Sequence, residues 1–188
     1  EGTGDDPAAV QPEAPGRYRT GAAAEIGRGG IGRVLVSFDT FLGREIAVKE
    51  LLGGPGDGAS THRGEGPSRT RAEVARFLRE ARVTGQLEHP NIVPVYEVGM
   101  VGEIPYVVFE YVEGRTLSQL LKADGAMPMA RAVIAMSQIL AGIAQAHSKG
   151  LMHGDITPAN ILLPASGVPR VTDFGISRDL FASPDQAP

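Results

Sequence analysis

Two spacings of apolar residues alternate along the chain. Arg33–Phe38 (RVLVSF) and Glu45–Lys49 (EIAVK) are short, rich in β-branched residues and bounded by glycine. They predict two strands joined by a hairpin connection, DTFLGR. Over residues 71–87 the period lengthens. Val74, Phe77, Leu78 and Ala81 recur at helical spacing with Arg and Glu between them, and His89-Pro90 ends the predicted helix. Residues 92–98 and 104–112 predict two more strands, and YVVFEYV is nearly continuous apolar sequence, as in a strand buried on both faces. A short helix is predicted over 116–123. After Met127-Pro128 a longer one runs to about Lys149, with Val133, Met136, Leu140, Ile143 and Ala144 on one face and Gly150 as its stop. The remainder, including ILLP and PRVTD, predicts short strands and loops, and there is no internal repeat.

Strands, one helix, strands, then helices make an α+β arrangement with a β-rich N-terminal lobe and a helical C-terminal part. Residues 1–16 are rich in Pro, Gly, Ala and acid and predict a disordered tail. Residues 53–70 are rich in Gly and predict a flexible loop. The chain has 188 residues, of which 42% are hydrophobic and 21% charged, so a packed core is available. A net charge of -4 without basic clustering argues against a nucleic-acid partner. The absence of cysteine excludes disulfides and thiolate metal sites and fits a cytoplasmic setting. No uninterrupted run of about 18 apolar residues occurs, so no membrane segment is expected in this chain. The chain begins with Glu1 and reads as a fragment or processed product.

Three groups of residues carry candidate chemistry. The string GRGGIGRV, from Gly27 to Val34, places Gly27, Gly29, Gly30 and Gly32 where main-chain amides can approach phosphates without a Cβ in the way. A strand follows these glycines, not a helix, which favours a hairpin flap over a dinucleotide-binding turn. Lys49 ends a strand of alternating apolar residues and can meet phosphates as a point charge. Glu80, on the amphipathic helix, is a candidate to hold that lysine, with a surface pair to Arg76 or Arg79 as its plainer role. The third group is HGDITPAN, residues 153–160, with TDFG, residues 172–175. Mg²⁺ takes one or two carboxylates plus phosphate oxygens, which Asn160 and Asp173 can complete, leaving Asp155 to accept a proton from a hydroxyl.

Together these motifs, in this order and spacing, resemble the protein kinase superfamily. Within it, RFLREARVTGQLEHPNIVPVYEVG is most similar to bacterial serine/threonine kinases. The resemblance runs from about Tyr18 to the end. It implies a two-lobe fold: an N-lobe and hinge over 17–112, then a partial C-lobe over 113–188 ending in the activation segment. It also implies transfer of the ATP γ-phosphate to a protein Ser or Thr hydroxyl, with Mg²⁺. By that resemblance Gly27, Gly29 and Gly32 cover the ATP phosphates, and Lys49, held by Glu80, binds the α- and β-phosphates. Asp155 orients and deprotonates the substrate hydroxyl, and Asn160 and Asp173 bind Mg²⁺. Phe109 matches the residue at the back of the adenine pocket. The C=O of Glu110 and N–H of Val112 match the adenine hydrogen bonds, and Val34, Ala47 and Leu162 enclose the base. His153 and Phe174 match a packed spine, which makes His153 structural.

Two positions depart from the family pattern. Gly154 replaces an Arg that pairs with an activation-loop phosphate, and Thr157 replaces a Lys that reaches the γ-phosphate. The chain also ends before the family's later helices. Set against a full domain of about 250–300 residues, it is expected to hold the N-lobe and roughly a third to a half of the C-lobe. The apolar face of the long helix is then expected to be exposed. A pseudokinase that binds nucleotide without phosphotransfer is the alternative reading. Ser177 and Ser183 are candidate autophosphorylation sites.

Overall fold

The computed structural model describes residues 17–28, 32–51, 71–102, 104–174 and 178–179. The expected tail 1–16 and loop 53–70, together with Gly29, Gly30, Gly175, Ser177 and Ser183, lie outside the described residues. The chain divides into two compact units, drawn respectively from Glu1–Leu78 with Glu97–Phe109 and from Arg79–Tyr96 with Glu110–Pro188.

The first unit is built on strands β1 (Tyr18–Arg28), β2 (Gly32–Asp39), β3 (Arg44–Leu51), β4 (Val95–Val101) and β5 (Ile104–Glu110), in the sheet order β1-β2-β3-β5-β4. The boundary between the units falls within β4 and within helix α1 (Arg71–Thr84). Strands β2 and β3 pair antiparallel with Val34 opposite Lys49 and Val36 opposite Ala47. The core is Ile46, Val48, Tyr106 and Val108, with Tyr18 packed against it. Full burial of each aliphatic side chain contributes about 1.5–3 kcal/mol. As expected of an inner strand, β5 buries four successive residues, Pro105 to Val108.

A polar network closes the same unit. The Asp39 side chain, 2% exposed, caps the DTFLGR turn through Oδ1, which accepts the Phe41 amide at 3.0 Å and the Leu42 amide at 3.2 Å. It also holds Arg17, with Nη2 donating to Oδ2 at 3.1 Å. Arg17 Nη1 donates to Glu97 Oε2 at 2.8 Å, and Glu97 in turn accepts the hydroxyls of Tyr18 at 2.6 Å and Tyr106 at 3.1 Å. Burial pushes the Asp39 carboxyl up, but the Arg17 hydrogen bond and the Leu42 and Phe41 amides outweigh it and hold Asp39 below the usual range.

The second unit holds β6 (Gly114–Thr116), α2 (Leu117–Asp124), α3 (Met129–Ser148), β7 (Leu151–Met152), a 3₁₀ turn (Pro158–Asn160), β8 (Ile161–Pro164), β9 (Arg170–Val171) and β10 (Arg178–Asp179). Thr116 and Gln119 form a reciprocal capping box, which fixes where α2 begins. The core gathers Leu87, Ile92, Ile139, Ala146, Leu151, Ile161, Val171 and Phe174. Its hub is Val171, which is fully buried. Its N–H donates to Asn91 O at 2.8 Å, and its C=O accepts Val93 N–H at 2.9 Å. Beside it, Asn91 Nδ2 donates to Pro169 O at 2.8 Å in a buried contact.

Three expectations need correction. Helix α1 stops at Thr84, earlier than predicted, because Gly85 follows and the Thr84 hydroxyl turns back to Glu80 O at 2.8 Å. Residues 91–93 are not the start of a strand run. They form an isolated parallel bridge to Val171, and β4 begins only at Val95. On α3 the buried residues are Ile139, Gly142 and Ala146, with Ile143 against the core, because the small Gly142 lets the helix approach Asn91 and Ile92 closely. Val133, Met136 and Leu140 are more than half exposed instead, as are Met129 and Ile134. The exposed face foreseen for this helix is present. The helix is also long and apolar enough to cross a membrane by length and composition alone, which qualifies the sequence reading; a single such helix is a weak sign of a span.

Candidate functional site

In the first unit the glycine hairpin is formed by the end of β1 and the start of β2, where Gly27 stands opposite Val34. Gly32 is required by a close approach inside the sheet: a Cβ there would lie 2.3 Å from the main-chain O of Glu50 on β3. The tightness therefore serves β2–β3 pairing, and it fixes Val34 beside Lys49, which is half-buried. Ala47 is buried on the next pair but one, and Phe109 is half-buried at the end of the unit. An Arg33–Glu50 ion pair at 2.8 Å flanks this register. Glu80 is half-buried on α1 and belongs to the second unit, whereas Lys49 belongs to the first.

In the second unit the structure brings Asp155, Asn160 and Asp173 into one hydrogen-bonded assembly. Asn160 Nδ2 donates to the main-chain O of Asp155 at 2.9 Å and to its Oδ2 at 3.1 Å. The Asn160 C=O accepts the Thr172 amide at 2.9 Å, which fixes the residue before Asp173. The side-chain Oδ1 of Asn160, the atom able to ligate a cation, lies outside these bonds. Asp155 itself is exposed. His153 is 2% exposed and ties the same residues together. Its Nδ1 accepts the Asp155 amide at 3.2 Å, so the ring hydrogen belongs on Nε2, which donates to Thr172 O at 2.9 Å. Its ring packs on Phe174 at 4.6 Å between centroids. With both nitrogens engaged with main chain, His153 is a structural residue, as expected.

Backbone conformation marks the same loop. Asp173 is the one non-glycine residue with positive φ among those described, at 65°. Such a conformation is costly and clusters at functional sites. Gly154 has φ 79°, so the loop itself is shaped for glycine, and the change from Arg is more than a lost side chain.

Among the described residues no group of three or more His, Cys, Asp or Glu could hold a metal ion. The oxygens of Asn160 and Asp173 nevertheless fit Mg²⁺, which needs few protein ligands when phosphate oxygens complete its shell. A cavity of about 480 Å³ in the second unit, lined by Leu120, Met127, Pro128, Leu163 and Pro164 among others, contains none of the candidate residues.

The segment after Phe109 carries a contact that the sequence did not signal. Glu110 N–H donates to Pro94 O at 3.1 Å, and its carboxylate pairs with Arg170 Nη1 at 2.6 Å. Arg170 stands opposite Leu162 in the β8–β9 pair. Val112 is buried two residues after Glu110.

Comparison with known proteins agrees with this assembly. A family model described as a protein kinase domain matches residues 21–186. The serine/threonine-protein kinase PrkC of Bacillus subtilis is 39% identical over 165 residues, covering 88% of this chain and 23% of that protein. A probable serine/threonine-protein kinase PknB of Bifidobacterium longum is 38% identical over 176 residues, covering 89% of this chain and 24% of the relative. The serine/threonine-protein kinase PknB of Mycobacterium leprae is 34% identical over 178 residues, covering 89% and 25%. The chain thus spans about a quarter of the length of the curated relatives it matches.

Proposed function

The chain belongs to the protein kinase family, and from that premise we propose that it supplies the nucleotide-binding and phosphoryl-transfer residues of an ATP-dependent serine/threonine protein kinase. The observation that carries the reading is the Asp155–Asn160–Asp173 assembly. One amide side chain orients the candidate base and, through its own C=O, the candidate metal ligand next in sequence.

In this reading Asp155 accepts the proton of a Ser or Thr hydroxyl on a protein substrate as that oxygen attacks the γ-phosphorus and the bond to the β–γ bridging oxygen breaks. Asn160 holds the Asp155 carboxylate in place through Nδ2 and offers Oδ1, with the Asp173 carboxylate, to Mg²⁺. The bound cation would neutralise charge on the phosphate oxygens. Lys49 binds the α- and β-phosphates, with Glu80 as its carboxylate partner. Gly27, Gly29, Gly30 and Gly32 cover the phosphates with main-chain amides. Val34, Ala47 and Leu162 enclose the base, Phe109 closes its back, and the Glu110 C=O and Val112 N–H read its edge. The lobes of this reading meet at the hinge, with an N-lobe over 17–112 and a partial C-lobe over 113–188. Use of ATP as donor places the reaction in the cytoplasm.

The positive φ of Gly154 and the presence of Thr157 support a second reading, a pseudokinase that binds nucleotide without transfer. Transfer of labelled γ-phosphate to a generic protein, measured on the full-length protein and on Asp155→Asn, decides between them. The kinase reading expects a loss of about 10²- to 10⁴-fold in the variant, with ATP affinity kept within a few-fold. Nucleotide binding with no transfer by the unsubstituted protein selects the pseudokinase.

A further inference from the structure

Arg170 is a lone basic residue with no place in the motifs, yet the fold gives it a fixed position. Its neighbour Val171 is fully buried and committed on both sides to Asn91 and Val93. Pro169 is bonded by the buried Asn91 side chain, and Arg170 itself pairs with Leu162 across β8–β9. The guanidinium therefore projects from a strand anchored before and after it. Its contact is the carboxylate of Glu110, at 2.6 Å, with the two side chains 28% and 31% exposed. Glu110 is fixed at two points: its main-chain N–H on Pro94 O and its side chain on Arg170. Its C=O is the remaining main-chain group, and it is the one assigned above to the base.

We propose that Arg170 is a positioning residue for base recognition: through its ion pair it holds Glu110 so that the Glu110 main-chain carbonyl accepts from the 6-amino group of adenine. This rests on the assignment of Glu110 and Val112 to the base edge. The strand register adds to it, because the same β8–β9 pair presents Leu162, the residue assigned to the face of the base, opposite Arg170. The pair contributes base selectivity, not phosphoryl transfer. A 6-oxo purine offers Glu110 an acceptor against an acceptor and gains nothing from the pair, so its binding does not depend on Arg170.

Calorimetric titration of the full-length protein with Mg²⁺-ATP and Mg²⁺-GTP tests this without requiring turnover. Arg170→Met is expected to weaken ATP about 2- to 5-fold, the range for a partly exposed charge pair, and to leave GTP within about 1.5-fold. Glu110→Gln is expected to behave alike, and Arg170→Met added to Glu110→Gln to change nothing further. The reversed pair, Arg170→Glu with Glu110→Arg, is expected to recover the ATP preference, which a purely structural role does not predict. Equal loss of ATP and GTP, or no change with either, overturns the proposal. Should Arg170→Met fail to fold, Glu110→Gln and the reversed pair decide on the same criteria. Val112→Pro, checked for folding by thermal melting, separates the underlying assignment. If it leaves ATP affinity intact, Val112 and Glu110 do not read the base, and the proposal falls with them. If it weakens ATP while Arg170→Met does not, only the proposal about Arg170 falls.

Discussion

Asp39→Asn removes one charge from the first unit and nothing else of size. The side chain is 2% exposed and its partner Arg17 is 27% exposed. Asn can still offer Oδ1 to the Phe41 and Leu42 amides, so the turn keeps its cap. Its Nδ2, however, would face Arg17 Nη2, donor against donor, where Oδ2 now accepts at 3.1 Å. Breaking a fully buried pair costs about 3–5 kcal/mol, and an exposed pair is worth about 0–1. Arg17 can partly rehydrate and keeps Glu97 at 2.8 Å, so the expected loss is about 2 kcal/mol at pH 7, near the middle of the range for a charged hydrogen bond. The pH dependence has a definite sign. The folded carboxyl is held below its ordinary value, so its contribution is complete above the unfolded pKa of about 3.9 and is lost as pH falls below that through the folded value. Urea denaturation followed by circular dichroism should show a gap between the two proteins that is level from pH 8 to about pH 5 and closes only below about pH 4. A gap under about 0.5 kcal/mol at pH 7, or one that closes near pH 6, refutes the reasoning.

Gly32→Ala should destabilise the sheet by about 1–3 kcal/mol and weaken nucleotide binding, because the new Cβ meets Glu50 O at 2.3 Å and displaces the Val34–Lys49 register; thermal melting with and without Mg²⁺-ATP reads both effects. Asn91→Ala should cost about 1–3 kcal/mol in denaturant titration by leaving the Pro169 carbonyl without its buried donor. Gly154→Ala should cost about 1–2 kcal/mol through its left-handed backbone, and Gly154→Arg should recover none of that in the same melts; an unchanged midpoint for either would show that the loop adapts freely.

The residues of the candidate chemistry were legible because their roles demand particular types at short spacing. Asp155 and Asn160 share one loop, and Asp173 follows one short hairpin later, so the sequence already contained the assembly that the hydrogen bonds complete. The strands β2, β3 and β5 were legible from β-branched runs and turn residues. What stayed hidden depends on partners far apart in the chain. Nothing in the local pattern singled out Asp39, Arg17 and Glu97, and on β2 the buried side includes Ser37 and Asp39 while Phe38 is exposed, so hydrophobicity points to the wrong face. On α3 most positions are apolar, and a helix apolar nearly all round does not declare its buried stripe. That stripe is set by where Gly142 permits close approach. Arg170 was invisible for the same reason: its meaning lies in a carboxylate sixty positions earlier.

The commitment of Val171 on both sides has a use beyond the fold. Its amide hydrogen is locked to Asn91 in the centre of the second unit's core, so deuterium reaches it only when that unit opens as a whole. The Asp155 amide, held by the His153 imidazole within an exposed loop, exchanges through small local openings. The two amides make an internal pair of clocks. Added nucleotide that slows only Asp155 acts on the loop alone, and nucleotide that slows both stabilises the whole unit.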